Sequence, residues 1–480
     1  MQYKLQGFEP ARFFHYFEEI SAIPRASLKE EKIADYLVNF ASERGLFCVR
    51  DEANNVFIRI GATKGREGDP AILLQGHTDM VCEKNAGTVH DFDTQGIDLV
   101  INGDVLSANG TTLGADNGFA VALMLAILDG ECSSHPTVEC LFTSGEEIGL
   151  VGAGAFDYSL ITARRLINMD SAEEGCITVG CAGGVRSDIV LTADREETPK
   201  ELSALSVSVS GLFGGHSGED INKGRSSANT LLGSLLKSLR DTLPFRIISV
   251  SGGSKDNAIA REAQAVVCVS DAEAAKSVLL SAWENLRASL SEADAGASLS
   301  VEAASVSPSF PEGFTDRVLT AWCGVRTGVI KMSEAIEGLV EYSQNLGILS
   351  TSESEVMFTW SIRSPNEPQL DEAEKKISVL AEQCGATECR HYNRYPGWSY
   401  PGESALADEF ERAYRSISDK ETGRIILHAG LECGIIKGAI PDMDIISVGP
   451  DTYDLHSPDE RMIISSASRI CETVKRIIAG

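Results

Sequence analysis

The sequence predicts an α/β fold: an α/β sandwich around a mainly parallel central sheet, interrupted by an inserted α+β domain. Three observations carry this expectation. Helix-like and strand-like stretches alternate through the first 184 residues, strictly alternating strands follow, and the helical pattern returns beyond residue 395.

The N-terminal part opens with helical apolar spacing over 8–20 (FEPARFFHYFEEI) and 28–44 (LKEEKIADYLVNFASER). NVFIRI (55–60) and AILLQG (71–76) read as short strands, the second apolar enough to be central. A helix is predicted over 118–128 after a capping turn at Asp116-Asn117. TVECLFTS (137–144) and RRLINMD (164–170) read as further strands. In the middle section, LSVSVSGLF (205–213) and VMFTWSIR (356–363) alternate with period two, the mark of an antiparallel sheet with one polar face. Helices are expected at 226–240 and 369–384, then at 404–417 and 462–478, with a strand at 445–447 between the last two. The expected division is residues 1–184 with 395–480 as one domain and 185–394 as the insertion.

Composition narrows the function. The 480 residues carry 43% hydrophobic and 23% charged residues, ordinary for a globular chain with a large core. A formal net charge of −28 argues against nucleic acid and against anionic membrane as partners. The 12 cysteines are scattered and form no CxxC pair, so they read as reduced thiols. No apolar run reaches membrane-spanning length, and the start MQYKLQGFEP has no apolar signal region. Together these predict a cytoplasmic location.

Acidic residues and histidines recur where apolar strands end, which is where open α/β sheets bind ligands. In LLQGHTDMV, a carboxylate at Asp79 is placed to hold the second ring nitrogen of a metal-bound His77. Asp116 lies between a glycine-containing loop and an apolar helix, suited either to capping or to bridging two cations. In LFTSGEEIGL, adjacent side chains diverge, so one glutamate can ligate while its neighbour serves as base. Asp170 ends a further strand, and His456 lies in a polar loop before the last helix. Each residue alone fits a plain structural role. Together, two histidines and three carboxylates form a mixed N/O donor set suited to zinc, with manganese or cobalt accommodated.

The words LLQGHTDMVCEK, GTTLGADNGFAVA, TSGEEIGLVGA, GLFGGHSGEDI and DLHSPDERM span residues 72 to 462. They resemble the metallopeptidase family of carboxypeptidase G, aminoacylase and the carnosinases, and within it the aminoacyl-histidine dipeptidase branch. The resemblance implies two divalent metal ions. His77, Asp116 and Asp170 would hold one; Asp116, Glu147 and His456 would hold the other. Glu146 would be the general base, Asp79 the residue orienting His77, and His216 the oxyanion donor from the inserted domain. Arg363, Asn257 and the backbone near Gly430 would bind a dipeptide substrate. A homodimer through the inserted domain is implied as well. Two other functions fit the same sequence: an N-acyl amino acid deacylase on the same metals, and a non-catalytic binding protein on a hydrolase fold.

Overall fold

The computed structural model describes residues 3–334, 338–400 and 402–480. The chain divides into two compact units. The first comprises Met1–Cys181, Trp398–Ile426 and Leu431–Gly480; the second comprises Ala182–Gly397 with Leu427–Gly430.

The first unit is built on an eight-stranded sheet. Its centre is four mutually parallel strands in the order Val138–Thr143, Ile72–His77, Arg165–Asn168 and Asp444–Ser447. Strands Val138–Thr143 and Ile72–His77 are buried at every position, as suits central strands rich in apolar residues, and they carry Glu139, Thr143, Gln75 and His77 into the interior as well. Strands flanking this parallel centre run antiparallel to it. Phe47–Arg50 and Val56–Ile60 form an antiparallel hairpin that pairs antiparallel with Val138–Thr143, and Cys176–Cys181 runs antiparallel to Asp444–Ser447. A five-residue connection between the first two strands permits no crossover and so dictates a hairpin.

Helix Ala115–Ala126 is apolar on all sides and buried throughout Asn117–Ala126. It packs on Ile72–His77, and the approach depends on Gly76: a Cβ there would stand 2.2 Å from both Asn117 Oδ1 and Ala120 Cβ. Helix Ala11–Ser21 lays Phe13, Phe14, Phe17 and Ile20 into the same core, with the Phe13 and Phe119 rings 5.3 Å apart.

The second unit is a nine-stranded antiparallel sheet. Its order is Ser298–Ala304, Ser203–Ser210, Ala263–Val269, Phe245–Gly252, Val340–Thr351, Glu355–Ser364, Gly183–Thr192 and Glu388–Tyr395, with Gly328–Met332 added beside Val340–Thr351. Helices Ala228–Arg240, Glu312–Gly324 and Glu367–Gln383 supply Leu232, Val318, Ile377 and their neighbours to one core with Val207, Val267 and Phe358 from the strands. The predicted alternation at 205–213 appears as buried Leu205, Val207 and Val209 between more exposed serines.

Candidate functional site

Parallel strands in register bring their carboxyl ends to one edge. His77 closes its strand opposite Thr143; the turn with Glu146 and Glu147 follows Thr143, and Asp170 follows Asn168. Asp116 enters from the start of the buried helix. His456 comes from the turn between strands Thr452–Tyr453 and Arg461–Ile463, where Asp454 and His456 both take positive φ (54° and 61°). That backbone region disfavours non-glycine residues and often accompanies a functional constraint.

The five side chains converge. His77 Nε2 lies 3.0 Å from Asp116 Oδ1 and 3.5 Å from Asp170 Oδ1. His456 Nε2 lies 3.2 Å from the other Asp116 oxygen and 3.1 Å from Glu147 Oε2. Donor atoms of His77, Asp116 and Asp170, of Asp116, Glu147 and His456, and of His77, Glu146 and Glu147 form three groups, each with members within 4.8 Å of one another. The two oxygens of Asp116 thus face two different histidines. On the far side of the His77 ring, Nδ1 is 3.1 Å from the Asp79 carbonyl oxygen and 3.3 Å from its carboxylate. The same carboxylate accepts hydrogen bonds from the backbone N–H of Glu146 (3.1 Å) and Glu147 (3.3 Å) and from the Ser27 hydroxyl (2.7 Å). Asp79 therefore joins the His77 loop to the two-glutamate turn.

This packing of charge shifts the titrations. Burial lowers the basicity of His77, but Asp170, Asp116 and Asp79 outweigh it and hold the imidazole well above its usual pKa. Hydrogen bonds to Asp116 and Glu147 raise His456 to about 11. Burial pushes Asp170 to about 6 and Glu146 well above the carboxylate range, the latter with help from Asp170, Glu147 and Glu432. Asp116, against its burial, is held well below that range by the two histidines.

The donor set fits divalent metal. Tetrahedral ligands at ~2.0–2.2 Å from a cation stand ~3.3–3.6 Å apart, close to the 3.0–3.5 Å separations found here. Glu147 Oε1 is buried with no hydrogen-bond partner among the described residues, and carboxylates so close to one another call for a cation.

Several buried residues at this edge escaped the sequence reading. Glu460 accepts backbone hydrogen bonds from Leu113, Gly114, Ala115 and Asp116, so the helix is capped by a distant carboxylate and not by Asp116. Arg25 donates to the carbonyls of Thr78, Asp79 and Gly114. Asn117 donates to Asp170 Oδ1 at 3.0 Å. Glu432 accepts from Gln75 (2.5 Å) and Thr143 (2.7 Å), and burial raises its pKa to about 7. Of these, Glu460 sat in one quoted word, four residues past His456, and Asn117 in another, beside Asp116.

In the second unit, Arg363 lies near the end of strand Glu355–Ser364. It is buried, 4% exposed, and makes no ion pair among the described residues. Its Nη1 donates to the Tyr395 hydroxyl at 3.1 Å, Nη2 lies 3.4 Å from His216 Nε2, and Nε has no partner. Gly430 lies against the Tyr395 ring, where a Cβ would come within 2.6 Å. His216 pairs with Ala258 in a two-residue ladder, and the Asn257 carbonyl accepts from Ser217 N at 2.8 Å, so Asn257 joins this group through its backbone. His428 is buried, shares a 2.7 Å hydrogen bond with Ser343, and is driven down to about 3 by burial, Arg363 and His216.

All twelve cysteines are free, and among the described residues no helix is long and apolar enough to cross a membrane.

The chain is 36% identical over 484 residues to the cytosol non-specific dipeptidase of Escherichia coli K12, covering 99% of both chains. Among solved structures it resembles the aminoacylhistidine dipeptidase of Vibrio alginolyticus, with 34% identity, a TM-score of 0.88, and coverage of 99% of this chain and 97% of that one. An aminopeptidase PepT of Bacillus cereus shares the fold at 16% identity and a TM-score of 0.56, over 98% of each chain. The profile of peptidase family M20/M25/M40 matches residues 73–480, which hold all of the converging ligands, and the chain belongs to that family.

Proposed function

We propose that the protein is a metallo-dipeptidase that hydrolyses Xaa-His or a broader range of dipeptides. The observation that carries the metal-dependent part is the pair of histidines facing opposite oxygens of Asp116, each with one further carboxylate. The dipeptide part draws on the likeness to two proteins named as dipeptidases, and on a buried Arg363 that makes no ion pair among the described residues and is suited to a terminal carboxylate.

His77, Asp116 and Asp170 would hold one divalent ion; Asp116, Glu147 and His456 would hold a second, zinc before manganese or cobalt. When bound, the ions supply Lewis acidity toward water and the scissile carbonyl, and positive charge that offsets the acidic cluster. Asp79 fixes the ring of His77 through Nδ1 and, through two backbone N–H groups, the turn that carries Glu146. Glu146 takes a proton from the attacking water and returns it to the leaving amine. His216 donates to the oxyanion that forms as the carbonyl carbon becomes tetrahedral. Arg363 binds the substrate carboxylate, and Asn257 and the backbone near Gly430 complete the substrate contacts. A homodimer through the second unit and a cytoplasmic location complete the reading.

The test is an assay of Xaa-His dipeptides, other dipeptides and N-acetyl amino acids before and after chelation, with zinc, manganese or cobalt restored. The reading requires metal-dependent turnover with dipeptides preferred. Turnover that survives chelation defeats the metal assignment, and preference for N-acetyl amino acids favours the deacylase. Sedimentation at assay concentrations tests the dimer.

A further inference from the structure

A carboxylate with four backbone donors is an unusual concentration of hydrogen bonds on one side chain. Glu460, 2% exposed, receives Leu113 N (2.8 Å) and Gly114 N (2.9 Å) on Oε2, and Ala115 N (2.8 Å) and Asp116 N (3.3 Å) on Oε1. Both oxygens act as acceptors, which suits the ionised form. Glu460 lies four residues beyond His456, and the segment it holds contains Asp116. One side chain therefore ties the turn carrying one histidine to the loop carrying the carboxylate that both histidines face. Arg25, 3% exposed, closes the circuit from the other side: Nη2 donates to Gly114 O at 2.6 Å, and Nη1 to Thr78 O at 3.0 Å, next to His77. The opposite charges of Glu460 and Arg25 attract each other, which eases the burial of both.

We propose that Glu460, seconded by Arg25, is a positioning residue that assembles the Asp116 loop before metal arrives, so that the donor atoms need little rearrangement to bind. This rests on the metal-binding reading above. Glu460 touches neither substrate nor ligand atoms; it acts through the backbone of Leu113–Asp116. Replacing it by Gln turns an amide NH₂ toward N–H donors and frees that loop. Outer partners of this kind change metal affinity about 10–100-fold.

Two measurements test it. In metal-free wild-type protein, amide hydrogen exchange is expected to be slowed at Gly114, Ala115 and Asp116 by about 10²-fold or more, because the clamp is already closed. Exchange at free-peptide rates until metal is added overturns the proposal, and this arm needs no variant. In Glu460→Gln, Co²⁺ titration followed by visible absorption is expected to show affinity about 10–100-fold weaker than wild type. Saturating Co²⁺ is expected to restore most of kcat, since all five donors remain. Wild-type affinity in the variant, or a kcat deficit that persists at saturation, overturns the clamp alone. Wild-type protein that binds no Co²⁺ overturns the metal reading and the clamp with it.

Discussion

Replacing Arg363 by Met separates a recognition role from a structural one, because the two predict opposite stabilities. Methionine keeps length and apolar contact while removing the charge. Among the described residues, buried Arg363 has no partner for Nε, and its terminal nitrogens reach a tyrosine hydroxyl and a histidine but no carboxylate. An uncompensated buried cation carries a penalty of several kcal/mol, against ~1 kcal/mol for the lost Tyr395 hydrogen bond. Without substrate, the variant is therefore expected to melt at or above the wild-type temperature. With substrate, loss of two charge-assisted hydrogen bonds of ~1.5–3 kcal/mol each lowers kcat/KM about 10²–10⁴-fold. Pairing each dipeptide with its C-terminal amide isolates the effect. Wild type is expected to lose a similar factor on the amide, while the variant treats both alike. Steady-state kinetics and differential scanning calorimetry read the two arms. A variant that keeps the wild-type preference for the free carboxylate, or that melts well below wild type, refutes the reasoning.

Glu146→Gln is expected to lower kcat by about 10²–10⁴-fold while metal content, read by atomic emission, stays at the wild-type level. Asp79→Asn turns an amide NH₂ toward donors now supplied by Glu146, Glu147 and Ser27, and competitive chelation should show metal held about 10–100-fold more weakly. His428, lowered to about 3, stays neutral in the fold while the unfolded chain binds a proton below an ordinary value near ~6.5. Its contribution to stability is present above that value and is lost as pH falls toward 3, with a slope of up to ~1.4 kcal/mol per pH unit. Melting curves of wild type and His428→Gln between pH 6 and 4 should therefore converge as pH falls.

The site's outline was legible because its residues announce themselves locally. His77, Glu146, Glu147 and Asp170 each follow an apolar run, and parallel strands in register force such ends together. What holds them was not legible. Asp116 and the N–H groups around it read locally as a helix start, yet their acceptor, Glu460, is 344 residues from Asp116. Arg25 and Glu432 look like surface charges until packing buries them among backbone carbonyls and strand side chains. Arg363 fell on the expected strand, but the alternation around it does not tell that its face is the enclosed one. The mainly parallel centre of the first sheet follows from its alternation of strands and helices, whereas the direction of the edge strands is set by the short link between Arg50 and Val56, which apolar composition does not encode.

The most direct test of the central claim is an anomalous-scattering map from crystals grown with zinc. Two peaks are expected ~3.5–4 Å apart, each ~2.0–2.2 Å from its donors. His77 and Asp170 should lie on one, Glu147 and His456 on the other, and Asp116 between them. A single peak, or peaks that leave Asp116 or either histidine uncoordinated, would contradict the account.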